Sequence, residues 1–354
     1  MKIDAVFDCV IIGAGIIGTT IALRLSIQAP DWQIALLDRL LIGGGASNYS
    51  AGLHMPYGIS PDIQELSKDS NSEYNISQRS ANLPIYNVPL IGIVSKNKYN
   101  EQCSYLNHKP RKHILEKNIL PNKIGQINLN IEEVIFQVEG CHYANVYGLI
   151  SHIIKNLRVN SQVKIWEGIN ITNIADNDKL MSITLQDGRI MHTKYIVLAP
   201  GPWVKDTAFA SILAPFNIRT KKIVALHIDR IPTPRDSVLF FFDHDAFLLP
   251  LYERGHWLFS FTCQEWDVFP SSSLNITAED RNNALKILKQ YCPDLIKDCV
   301  SGRVFCDAYS HNRVPIIAKV PNNPKIIFAG AASGSGYRLA PGIANKAVSL
   351  ILSK

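Results

Sequence analysis

No stretch of this 354-residue chain stays apolar for the roughly 18 residues that a membrane-crossing helix needs. The opening MKIDAVFDCVIIGAG is broken by Asp4 and Asp8 and runs straight into a glycine turn, which is not the layout of a secretion signal. The 7 cysteines, Cys9, Cys103, Cys141, Cys263, Cys292, Cys299 and Cys306, form no CxxC pair and no metal-finger spacing, and an odd number cannot all be paired. A zinc module and a disulfide-stapled domain are therefore not expected; a reducing, cytoplasmic setting without a metal site is. Basic residues are not gathered into an arm: 36 Lys and Arg stand against 30 Asp and Glu, a net charge of +6 scattered along the chain. Nucleic acid is accordingly not an expected partner. Internal repeats and low-complexity segments are also missing. What the chain has is apolar bulk, 47% of its residues, enough for one large or two interleaved globular domains.

Phe7 to Ile12 make a short β-branched run, followed by Gly13-Ala14-Gly15-Ile16-Ile17-Gly18 and a helical pattern through Ala22 and Leu25. Leu36 and Leu37 close a second strand that ends at Asp38, with Arg39 beside it. This is a βαβ unit of the dinucleotide-binding kind. Gly13 permits the tight turn, Gly15 lets the backbone approach a pyrophosphate, and Gly18 lets the helix pack on the strand while its N-terminus faces the anion. Asp38 stands where a ribose hydroxyl pair would donate. The unit reads the adenosine diphosphate half, which NAD and FAD share. Next come Gly43-Gly44-Gly45-Ala46-Ser47-Asn48-Tyr49-Ser50-Ala51-Gly52 and Leu53, a small-residue loop that either folds its amides and the Ser47 hydroxyl over more of the ligand or is a plain solvent loop.

Further on, Ile171 to Ile174 and Leu180 to Leu185 alternate as a hairpin, with Asp187-Gly188 as the turn, and Tyr195 to Leu198 is a buried strand ending at Ala199-Pro200-Gly201. Lys325 to Phe328 reads as a strand, Gly330 to Gly336 as a turn, and Leu339 to Leu352 as an amphipathic helix with an electropositive start. With GAGIIGTTIALRL, GGGASNYSAGL, ITNIADNDKLMSITLQDGRIMHTKYIVLAPGPW and FAGAASGSGYRLAPGIANKAVSLIL in this order, the chain resembles the D-amino acid oxidase / glycine oxidase superfamily of FAD-dependent oxidoreductases. The resemblance frames nearly the whole chain. It implies an α/β fold in which a Rossmann-like FAD-binding domain (1–54, 145–215 and 301–354) is interleaved with an α+β substrate domain built on an antiparallel sheet (55–144 and 216–300).

By the same resemblance Ile171 contacts adenine through its backbone, and Ala199, Gly201 and Trp203 lie near the dinucleotide, Trp203 serving either there or in the core. Gly334, Gly336, Tyr337, Arg338, Leu339 and Ala340 face the flavin pyrimidine, where amides and Arg338 would stabilise negative charge on the reduced ring; Arg338 as a solvated surface charge is the alternative. Two routes to covalent attachment are closed: the histidine expected before Ala-Gly is Tyr49, and Cys306 is one residue out of frame. Noncovalent FAD is expected.

In the resembled oxidases an arginine about eight residues before a Pro-Ile-Ile strand holds the substrate carboxylate. Here that position, counted back from Pro315-Ile316-Ile317, is Asp307. A carboxylate there repels an acid and attracts a cation, unless it is salt-bridged to a nearby arginine. Arg313 is the nearest replacement anchor, with Arg338 and Arg303 behind it. His54 and Tyr57 enter the expected pocket with Met55 and Pro56, and Tyr252 and Tyr309 are wall candidates, each with a structural reading beside the functional one; His311 is a weaker acid/base candidate. The expected chemistry is hydride removal from a carbon bearing an amine, to flavin N5, from a small amine or amino-acid-like substrate, with oxygen or a quinone or other carrier as final acceptor. The alternatives are oxidation of a 2-hydroxy acid, which calls for a base such as histidine, and an FAD-binding subunit with little activity of its own.

Overall fold

Phe7 and a run of small and β-branched apolar residues fill the buried positions of Val6–Ile12, and this strand lies in the middle of an eight-stranded sheet. The computed structural model describes residues 6–80, 83–108, 110, 124–125, 127–271 and 273–353; Asp4 and residues 111–123 of the expected substrate stretch fall outside them. Val163–Trp166, Ile34–Leu37, Val6–Ile12, Ile190–Leu198 and Asn323–Gly330 run side by side and parallel, and Ile316–Val320 closes one edge antiparallel. Successive side chains of a strand point to opposite faces. Cys9 and Ile11 therefore join a core with the helices Ile16–Gln28, Val146–Arg158 and Gly336–Leu352, whereas Val10 and Ile12 join a second core. That second core is covered by the hairpin Ile171–Asn177 and Leu180–Leu185. The hairpin turns at Asp178, held at φ 63°; Asp187-Gly188 instead makes the next turn, into Ile190–Leu198. A Cβ at Gly18 would lie 1.9 Å from the Gly13 carbonyl oxygen, so the first helix can sit on its strand only with glycine there.

The last helix starts at Gly336, three residues earlier than its apolar period suggests, and carries Pro341 inside. Proline has no N–H to give to the preceding turn. The carbonyls left open are taken up by side chains from elsewhere: the Tyr74 hydroxyl donates to Tyr337 O at 2.5 Å, and His54 Nδ1 lies 3.3 Å from Arg338 O. Gly342 N–H turns to Ser70 Oγ at 3.0 Å.

The other large sheet has seven strands in the order Cys299–Tyr309, Arg219–Ile228, His256–Phe261, Ala246–Leu251, Val238–Phe241, Leu90–Ser95 and Glu133–Val138. The expected apolar runs are its antiparallel centre, and Leu90–Ser95 adds one parallel pairing against Val238–Phe241. The helix Ala278–Tyr291 covers its outer face, opened by the expected Thr277/Asp280 capping box. Cys299–Tyr309 is one continuous strand of this sheet and runs across position 301.

Candidate active site

The inner face of the seven-stranded sheet and the carboxyl ends of the parallel strands enclose a cavity of about 340 Å³. A smaller one of about 90 Å³ adjoins it, and both are walled by Gly15, Ala46, Ser47, Ala199 and Gly201, so they form one bent trough.

In the smaller arm, Gly13 turns the chain with φ +103°, and a Cβ there would lie 2.2 Å from Ala199 O. Asp38 accepts from Ala14 N–H at 2.7 Å and from Leu40 N–H at 2.8 Å. Burial pushes the Asp38 pKa up, and the two amides pull it back. Each of its oxygens keeps capacity for a further donor. Ser47 Oγ accepts from Ile16 N–H at 2.9 Å, capping a helix whose own N-cap, Gly15, has no side chain to offer. Arg39 pairs with Asp206 at 2.6 Å and lies 5.6 Å from the centre of the Trp203 ring. Ile171, Gly45 and Trp203 complete this wall.

In the larger arm the C-terminal helix presents Gly336, Tyr337 and Arg338, with no side-chain cap on its first amides. Arg338 is half-buried, donates to Tyr57 O and to Ser335 Oγ at 2.9 Å, and has its pKa lowered to about 10 by desolvation. It is not a solvated surface charge. Facing it, alternate residues of two neighbouring strands form the floor: Arg303, Phe305, Asp307 and Tyr309 from one, Lys221, Ile223 and Ala225 from the other. The Asp307 carboxylate accepts from Ala308 N–H at 2.8 Å and Gly334 N–H at 3.0 Å and pairs with no arginine among the described residues. Burial raises its pKa to about 6. The turn that supplies Gly334 is strained, with Ala331 at φ 51° and Ser333 at φ 53°. Arg303 donates to Ser50 O at 3.4 Å, its Nε has no partner, and burial and Arg254 lower its pKa to about 10.

Residues 8–350 match the family described as FAD dependent oxidoreductase. The chain belongs to this family of FAD-dependent oxidoreductases. Among solved structures its fold is similar to L-proline dehydrogenase from P. horikoshii (TM-score 0.81, 16% identity, 98% of this chain and 93% of that one) and to glycine oxidase from Geobacillus kaustophilus (0.79, 14%, 98% and 94%). L-alpha-glycerophosphate oxidase from Mycoplasma pneumoniae, a structure with FAD bound, is similar at TM-score 0.77 and 19% identity over 99% of this chain and 96% of that one. No curated protein matches by sequence.

The trough of this FAD-dependent oxidoreductase fits the cofactor: a Cβ built at Gly201 or Gly336 would meet nothing within 4 Å, so both glycines face open space on its walls. Asp38 would hold the ribose, the Gly13–Ile17 turn and Ser47 the pyrophosphate, and the Gly336–Arg338 helix end the flavin. Ala51, Gly52 and Leu53 line the larger arm as well. Ala14, Gly18, Leu339 and Ala340 are not wall residues; Ala14 acts through its amide, and the other three pack behind the wall. Cys306 points away from the cavity and is buried, and Tyr49 stacks on Phe305.

Of the expected substrate residues, Arg313, Asp307, Tyr309 and Tyr57 converge on the larger arm. His54 does not. It follows Leu53 on a strand and so points to the opposite side, where it stacks on His142 at 4.5 Å and supports the proline-interrupted helix. Tyr252 packs on Tyr86 and Tyr143 away from the wall, and His311 is exposed beside it. Sequence reasoning missed Lys221, Asp245, Phe240 and Phe247 on the wall. For Lys221 the signal was present: counting back by twos from Ala225 and Ile223 puts it on the same face. Cys263, at the cavity edge, clusters with Glu265 and Asp280 behind the wall, but the Lys222 ammonium already sits 2.7 Å from Asp280 and 2.9 Å from Glu265. No described helix is long and apolar enough to cross a membrane.

Proposed function

We propose that the protein oxidises the C–N bond of a small amine or amino-acid-like substrate. Bound FAD supplies the two-electron acceptor. The observation that carries this reading is Asp307: a half-buried carboxylate on the cavity wall, titrating near 6 and held by two amides. A substrate ammonium must lose a proton before its nitrogen can assist departure of a hydride from the neighbouring carbon, and above pH 6 Asp307 is ionised and placed to accept that proton. Phe240, Phe247, Phe305 and Leu258 line the same space and exclude water around the reacting carbon. No histidine stands on this wall among the described residues, which favours C–N over C–O oxidation.

The same reading includes noncovalent FAD, a reducing cytoplasmic setting in keeping with seven free thiols, and return of electrons to oxygen or to a quinone or other carrier. It also divides the chain into the two interleaved domains expected from sequence, with Cys299–Tyr309 assigned whole to the substrate domain. The test is anaerobic titration of the holoprotein with primary and secondary amines, amino acids and 2-hydroxy acids, followed by air with peroxide detection. Bleaching of the flavin band by amines alone supports the reading, and bleaching by hydroxy acids alone refutes it.

A further inference from the structure

Two adjacent lysines on Arg219–Ile228 are equally buried and differently satisfied. Lys222 points outward and is clamped by Asp280 and Glu265. Lys221 points into the cavity, is 2% exposed, and pairs with no carboxylate among the described residues. Its ammonium lies 4.8 Å from the centre of the Trp266 ring and 5.5 Å from that of Tyr309. An ammonium so deprived of water is costly unless an anion joins it. Arg313, the replacement anchor expected from sequence, is half exposed and already faces Asp245 at 3.7 Å.

Lys221 and Asp307 are directly opposed in the register of the two central strands, so their side chains stand side by side on one face. They do not pair with each other. Asp307 is drawn to the Ala308 and Gly334 amides, Lys221 to the Trp266 and Tyr309 rings. Two opposite charges without ionic partners thus border the same space, complementary to a small zwitterion.

Resting on the C–N reading above, we propose that Lys221 anchors an acidic group of the substrate, carboxylate or phosphate, while Asp307 receives its ammonium. Relative to the resembled oxidases the polarity is inverted: the strand position that carries their arginine takes the amine, and the acid is held one strand away. A lysine offers a point charge rather than a fork, so it accepts either kind of acid. Among the described residues, the other charged or titratable groups facing this region are Arg313 and Asp245, which face each other, Arg303 and Arg338 farther along the wall, Arg219, which stacks on Trp266 and pairs with Asp267, and the Cys263 thiol, whose pKa burial raises.

The test is calorimetric titration of the holoprotein at pH 8 with acetate, inorganic phosphate and methylammonium as separate probes. Lys221→Met should weaken acetate or phosphate at least tenfold and leave methylammonium unchanged, and Lys221→Arg should restore anion binding. Asp307→Asn should do the reverse, weakening methylammonium and tightening the anions. Acetate and phosphate responses distinguish the two acid classes. Unchanged anion affinity in Lys221→Met overturns the proposal, as does equal loss of all three probes. Should that variant not fold, wild-type crystals soaked in bromide decide: a peak beside Lys221 Nζ supports the anchor, and peaks at Arg303 or Arg338 alone overturn it. If amines lacking an acidic group are oxidised as well as those bearing one, this inference fails while the C–N reading stands. If no amine bleaches the flavin yet Lys221 still governs anion binding, the reverse holds.

Discussion

Replacing Asp307 by Asn should stabilise the folded protein, and only above a defined pH. The carboxyl titrates near 3.8 ordinarily and near 6 in the fold, because burial disfavours its charged form. The unfolded chain therefore releases this proton first as pH rises, and the folded state holds it longer. Stability falls with increasing pH across that interval, beginning near 4 and ending just above 6. A shift of about two units corresponds to roughly 3 kcal/mol. Asn resembles the protonated acid in shape and never ionises. The wild type and Asp307→Asn should accordingly unfold alike at pH 4, and the variant should be more stable by about 3 kcal/mol at pH 8, on the order of 5 °C in melting temperature. Thermal or urea unfolding of the holoprotein at half-unit pH intervals measures the divergence. Parallel curves from pH 4 to 8 would refute the buried-carboxylate argument, and with it the placement of a charged acid on the cavity wall.

Gly13→Ala forces a side chain onto Ala199 O at a backbone angle of +103°, so expression should yield unfolded protein. Gly15→Ala instead meets Ser47 Oγ at 3.1 Å and should keep the fold while losing tenfold or more in FAD affinity; circular dichroism beside the flavin-to-protein ratio separates the two. Lys222→Met leaves Asp280 buried without its cation, for an expected loss of about 3–5 kcal/mol in urea unfolding. Acid precipitation should release all yellow colour into the supernatant, and colour retained in the pellet would mean a covalent link.

The parts of the fold legible in the sequence are those where local and long-range demands coincide. The first strand, the Gly13–Gly18 turn and Asp38 are such a case, because turn geometry, helix packing and anion binding all call for the same residue types. Asp307 could be located by counting from Pro315 because strand register preserves spacing. Legibility failed where a residue's role is decided by a distant partner. Nothing near His54 in the chain announces that Gly342 N–H, next to Pro341 far along the sequence, will turn to Ser70 and leave Arg338 O in need of a donor. Alternation puts Lys221 on one face with Ile223 and Ala225 and Lys222 on the other, but which face meets the cavity depends on distant partners, Asp280 and Glu265 on a later helix and loop. The early start of the last helix, at Gly336 rather than Leu339, follows from its role as a cavity wall, where glycine and arginine replace the apolar residues that mark a helix by period.

The helix Gly336–Leu352 packs directly on Ile16–Gln28, although the two lie far apart in the sequence. The trough takes part of its wall from the start of each helix, so it has its closed form only once both are in place. A chain cut before Gly336 would carry the full Gly13–Gly18 signature and still be unable to retain the coenzyme.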